Sequence, residues 1–214
     1  MNRHLLFGIL FLSLTYLPLS AQETTRQWIS ATYEAFESKQ STLKLSQRFR
    51  WREQEFHQWI TEVDYKTDLG NGFSGGLELR YLIESDRRGA VQGNRSSGRV
   101  RLNLYHEVRF GSFELENRAG LQYRQRFDDG DDELVFRFRP QITPKIKNFK
   151  HDPTFGVEYL QNINVSQDYS IRYRIEVPFK WERNRFELGY FFEQFNLLSQ
   201  PDQHVIFLNY QLSR

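Results

Sequence analysis

The chain has 214 residues, 29 basic against 27 acidic side chains, a formal net charge of +2 and no cysteine. That length corresponds to one domain or two small ones. The lack of cysteine excludes a disulfide framework, thiolate metal sites, a cysteine nucleophile and a lipid-modified N-terminal cysteine, and the balanced charge gives nucleic acid no footing as a partner.

Two properties pull apart. Mean hydropathy is −0.67, as in an ordinary soluble protein, yet Phe, Tyr and Trp make up 16% of the chain.

Residues 1–21 differ from the rest. Arg3 and His4 precede a mostly apolar run from Leu5 to Leu17, and Pro18-Leu19-Ser20-Ala21 follows without an acidic residue. A basic start, an apolar middle and a small residue at the cut site are the pattern of a cleaved export signal. The run is shorter than the ~20 residues a membrane-crossing helix needs. Cleavage after Ala21 leaves a mature domain of residues 22–214.

Beyond the signal, the longest stretch free of Asp, Glu, Lys and Arg is Gln203 to Ser213, eleven residues, too short for a transmembrane helix. What recurs is alternation. Phe73, Gly75, Leu77, Leu79, Tyr81 and Ile83 share one phase, with Ser74, Gly76, Glu78, Arg80, Leu82 and Glu84 on the other. Phe113, Leu115, Asn117, Ala119, Leu121 and Tyr123 oppose Glu114, Glu116, Arg118, Gly120 and Gln122, while Tyr169, Ile171, Tyr173, Ile175, Val177 and Phe179 oppose Arg172, Arg174 and Glu176. A period of two residues marks strands with one apolar and one polar face.

Eleven such segments follow one another, near 27–36, 42–51, 56–66, 73–84, 98–109, 112–126, 133–143, 153–161, 168–180, 185–195 and 203–212. Turn chemistry separates them, as in Asp68-Leu69-Gly70-Asn71-Gly72, Phe110-Gly111-Ser112 and the acidic run from Asp128 to Glu133. The short connections at 67–72, 110–111 and 181–184 read as periplasmic, and the longer ones at 85–97, 127–132 and 196–202 as external.

Soluble sandwiches share this alternation, so strand length discriminates. Strands of globular proteins usually run about 5–6 residues, whereas several segments here alternate over ten or more. Phe113 and Tyr123 lie ten residues apart on one face, as do Tyr169 and Phe179. Ten tilted residues climb roughly 25 Å, the height between the two aromatic girdles of an outer-membrane barrel. Phe73 and Tyr81 span about 20 Å on the same arithmetic. The expected fold is therefore all-β: an antiparallel, up-and-down transmembrane β-barrel with six girdle residues, Phe73, Tyr81, Phe113, Tyr123, Tyr169 and Phe179. Bacterial single-chain barrels have even strand numbers, which favours ten strands starting at 42–51, with twelve as the alternative and 27–36 partly outside the count.

Gln27-Trp28-Ile29-Ser30-Ala31, Gly76-Leu77-Glu78-Leu79-Arg80-Tyr81 and Leu134-Val135-Phe136-Arg137-Phe138-Arg139-Pro140 resemble the short outer-membrane barrels of the family termed domain of unknown function 2490. The likeness covers nearly the whole mature chain and contains no catalytic signature. It implies an outer-membrane barrel of a gram-negative bacterium, with membrane lipid and the barrel-insertion machinery as partners and no cofactor.

With the apolar phase outward, the lumen receives Glu78, Arg80, Arg99, Arg101, Glu116, Arg118, Arg137, Arg172, Arg174 and Glu176, with Glu62, Glu158 and Glu193 among further acids. Arg pairs with carboxylates through a planar fork, so acids and arginines in near balance predict a salt-bridge network packing a narrow lumen. That supports a non-catalytic structural, binding or envelope-maintenance role. The alternatives are a narrow channel for small or anionic solutes and a lipid-modifying barrel enzyme. The mature histidines, His57, His106, His151 and His204, lie in no nucleophile or metal-ligand spacing; neither a catalytic nor a metal residue is expected.

Overall fold

The computed structural model describes residues 24–86, 93–127, 130–196 and 200–213. The proposed signal at 1–21, the tip of the 85–97 connection, Asp128 and Asp129, and part of the 196–202 connection lie outside the described residues. The described chain forms eleven strands and one closed barrel. They are β1 (Thr24–Glu37), β2 (Ser41–Arg52), β3 (Glu55–Gly70), β4 (Phe73–Asp86), β5 (Gly93–Phe110), β6 (Phe113–Arg126), β7 (Glu133–Pro144), β8 (Thr154–Asn162), β9 (Tyr169–Trp181), β10 (Asn184–Phe195) and β11 (Gln203–Leu212).

All eleven segments legible in the sequence are strands, so the count is one above the expected ten. The odd number is accommodated at the seam. Neighbours in sequence pair antiparallel around the barrel, and β1 then pairs parallel with β11 from Thr24↔Gln203 to Tyr33↔Leu212. The 27–36 segment is thus a full member of the wall, antiparallel to β2 on its other side. Parity constrains only barrels whose last pair is antiparallel; a parallel last pair closes an odd number.

With one exception at each end, the nine-residue 145–153 and the two-residue 53–54, connections sort by length between the two ends. At one end lie 38–40, 71–72, 111–112, 145–153 and 182–183; at the other lie 53–54, 87–92, 127–132, 163–168 and 196–202. These are called below the short-turn end and the long-connection end. Asn71 and Gly72 both have positive φ, 53° and 78°, as a two-residue hairpin turn of the mirror-image type requires.

Alternation decides which side chains go inside. Among the described residues, 36 large apolar side chains are exposed and five apolar residues are buried, while eighteen polar or charged residues are buried. The interior is the polar phase. A smaller apolar cluster interrupts it where Phe191, Val205 and Phe207 pack with Trp28 beside the seam. Gly189 makes room for this cluster, because a Cβ there would overlap the tip of the Phe207 ring. Gly189→Ala should therefore lower stability by about 1–3 kcal/mol, the usual cost of overpacking, read as a fall in urea midpoint. Adding Phe207→Leu should recover part of the loss, whereas an unchanged midpoint for Gly189→Ala would show that the cluster is not closely packed.

Candidate functional site

The inward phases of the strands converge on two carboxylates. Glu158, on β8, has no exposed surface. Around its two oxygens lie Arg118 of β6 at 3.1 Å, Arg137 of β7 at 2.7 Å, and Arg172 and Arg174 of β9 at 3.3 and 3.6 Å. Arg172 continues to Glu193 of β10 at 2.9 Å, which also accepts a 2.8 Å bond from the Ser170 hydroxyl. Arg174 continues to Glu176 at 2.5 Å. The second focus is Glu78 of β4, which binds Arg101 of β5 and, at 2.6 Å, Arg80. Arg80 also reaches Glu62 of β3 at 2.5 Å, and Glu62 lies 3.8 Å from Arg48 of β2.

These networks border a cavity of about 640 Å³ that reaches the level of Arg126, Asn162, Asp168 and Gln200 at the long-connection end. Its described lining contains thirteen arginines, eight carboxylates and no lysine, in a chain with 22 arginines and seven lysines. Towards the short-turn end, inward side chains pair with one another. Lys66 sits 4.4 Å over the Tyr105 ring, Thr32 and Ser46 share a 2.9 Å hydrogen bond, and Gln211 donates to Glu34 at 3.0 Å.

All ten lumenal residues expected from the sequence lie on the inward phase, and eight of them cluster in the two networks. Glu116 meets Arg139 at 3.8 Å, away from both foci. Arg99 has no ion-pair partner among the described residues, and its buried Nε lacks an acceptor. Phe73, Tyr81, Phe113 and Tyr123 are exposed on the outer phase, with Tyr169 and Phe179 on the outer phase of β9 and less exposed.

Several lumenal residues lie outside the set expected from the sequence. Arg48, Arg50 and Arg52 alternate with Phe49 and Trp51, which was a usable signal for β2. Trp28 and Phe191 gave none, since apolar side chains inside a polar lumen break the rule that reveals it. Arg50 stacks 3.8 Å over Trp28, and Arg172 and Arg174 lie 5.3 and 5.4 Å over Phe191, so the apolar cluster is covered by guanidinium groups.

Oxygens of Glu62, Asp64 and Glu78 gather within 4.8 Å of one another, but Arg80 already bridges Glu62 and Glu78 and supplies the positive charge there. His57 Nε2 lies 3.1 Å from Glu84 and 3.0 Å from Arg52, near the long-connection end. His151 contacts the Pro178 carbonyl at 3.0 Å near the opposite end. His106 stacks on Phe73 at 4.3 Å, and His204 shares a 2.7 Å hydrogen bond with Tyr190. The four rings therefore build no common site.

Comparison with protein families, with curated proteins and with solved structures finds no match for this chain. The chemistry must be read from the lumen itself. Glu158→Gln leaves four guanidinium groups around a neutral amide. Breaking a buried pair from one side costs about 3–5 kcal/mol, so the urea midpoint should fall sharply, while the 44%-exposed Glu107 should change to Gln within about 0.5 kcal/mol. Equal effects of the two substitutions would show that the focus at Glu158 does not hold the lumen.

Proposed function

We propose that this chain is a non-catalytic, integral outer-membrane β-barrel of a gram-negative envelope, exported through residues 1–21 and blocked to free conduction by its own lumenal side chains. The observation that carries the reading is the inverted distribution of side chains. Soluble monomers rarely expose contiguous apolar patches larger than a few hundred Å², yet here an apolar phase runs round the barrel, from Leu77 and Leu79 through Val100, Leu102 and Leu104 to Leu121, Phe136, Phe138, Phe155, Val157, Tyr173 and Ile175. Lipid is the medium that would cover such a surface, and a closed barrel leaves no unpaired strand edge in it. The six outer aromatics would then sit at the two interfaces. The resemblance to the domain-of-unknown-function-2490 barrels belongs to the same reading, as do outer-membrane lipid and the barrel-insertion machinery as partners.

Binding or structural work suits the lumen better than conduction. Aqueous channels belong to barrels of about 16–18 strands, and here Lys66, Tyr105, Gln211 and their partners pair inside the lumen toward the short-turn end. With the shorter turns periplasmic, the cavity would face outward. Two measurements test the reading together. The protein should fractionate with membranes, migrate faster on an SDS gel unheated than boiled, and give no stepwise conductance in a planar bilayer. Recovery in the aqueous fraction without detergent would overturn the membrane assignment; regular conductance steps would overturn the blocked lumen.

A further inference from the structure

The charge inside the barrel is not balanced. The described lining holds thirteen arginines against eight carboxylates, and adding Glu158, Glu84 and Glu116, which pair with lining arginines, leaves thirteen against eleven. Not every arginine is therefore neutralised by the networks. Three that line the cavity, Arg26, Arg50 and Arg99, have no carboxylate partner among the described residues, and each has a buried Nε without a hydrogen-bond acceptor. Arg50 makes one neutral hydrogen bond, to Gln58 at 2.9 Å. The buried indole Nε1 of Trp28, beneath the Arg50 guanidinium, also lacks an acceptor.

These groups belong to one neighbourhood. Trp28 and Arg50 are cross-strand partners. Arg48, Arg80, Arg99 and Arg172 are the charges that act most strongly on Arg50, while Arg26 faces Arg52 and Arg172 and, more distantly than an ion pair, Glu193 and Glu84. An arrangement of like charges around unfilled donors is costly unless an anion completes it. The choice of side chain narrows the anion. Lysine would supply positive charge as well, yet no described lysine lines the cavity. Arginine adds a planar fork that bonds phosphoryl oxygens two at a time, and a phosphoryl group presents three acceptor oxygens against two on a carboxylate. A volume of about 640 Å³ lies in the ordinary range for small-molecule sites.

We propose that the long-connection half of the lumen is a binding site for a soluble, multivalent phosphoryl anion, held by Arg26, Arg50 and Arg99 above the Glu78 and Glu158 networks. The site needs only the closed barrel and holds whether or not the barrel lies in a bilayer. The two networks serve it as a floor, fixing the neighbouring guanidinium groups so that the three without partners stay oriented for the ligand.

The test is calorimetric titration of the folded full-length protein, in detergent only if it fractionates with membranes, with inorganic pyrophosphate, and with succinate at matched ionic strength as the carboxylate comparison. Pyrophosphate should bind saturably and at least about tenfold more tightly than succinate. Arg50→Gln and Arg99→Gln should each weaken it by about tenfold or more, the worth of one hydrogen bond to a charged group. Arg99→Lys should also weaken it, because the charge stays and the fork goes. Arg109→Gln, whose side chain is 78% exposed on the β5–β6 hairpin, should bind as the parent does. A β-rich circular dichroism spectrum matching the parent's confirms that each variant is folded; if Arg50→Gln is not, Arg26→Gln takes its place with the same expectation. Absence of saturable pyrophosphate binding to the folded parent, equal affinity for succinate, or equal affinity in the Arg50, Arg99 and Arg109 variants would each overturn the proposal. None of these results depends on whether the protein fractionates with membranes.

Discussion

Four arginines from three strands converge on Glu158, a carboxylate with no exposed surface. Burying one such charge is expensive unless it is paired and hydrogen-bonded; burying the whole charged phase of a barrel is possible only where strands from all sides bring opposite charges to one place. Closure does this. β4 and β5 deliver Glu78 and Arg101, β8 and β9 deliver Glu158 and Arg172, and a slip of one residue in either pair would turn these charges outward and the apolar phase inward. The networks thus fix register, and through register they fix which phase faces out.

The seam obeys a different constraint. A sheet of eleven strands has two edges whose free N–H and C=O groups invite pairing with other chains. Parallel pairing of β1 with β11 removes both edges. Its consequence is directional: β1 starts at the long-connection end and β11 finishes at the short-turn end. The apolar cluster of Trp28, Phe191, Val205 and Phe207 lies on β1, β10 and β11. Packing thus reinforces the region where no turn joins the first strand to the last.

Most of the wall was legible in the sequence because alternation is local. Each of the eleven segments could be recognised without reference to its neighbours, and the inward position of Leu82 followed from its place between Arg80 and Glu84. The seam was not legible, since no turn chemistry marks a pairing between residues 24 and 203, and parity pointed to an even count. The lumen was partly legible. Residue types and phases were plain, yet the role of Glu158 depends on convergence of β6, β7 and β9. The arginine excess was hidden because Arg26, Arg48 and Arg50 lie on β1 and β2, outside the expected lumenal set. β10 and β11 carry apolar residues on both phases, so alternation there could not show that Phe191 and Phe207 turn inward while Phe192 and Leu208 turn out.

The central claim is that one phase of every strand meets lipid while the other meets a charged lumen. A chain without cysteine allows this to be measured at adjacent positions of β7, where Phe138 is 40% exposed and Arg139 lines the cavity. Spin labels on Phe138→Cys and Arg139→Cys, in protein reconstituted into lipid vesicles, report collision with oxygen dissolved in lipid and with a water-soluble nickel complex. The account predicts oxygen-dominated relaxation at 138 and little oxygen contact at 139. Equal access of the nickel complex to both positions, or the reverse pattern, would contradict it.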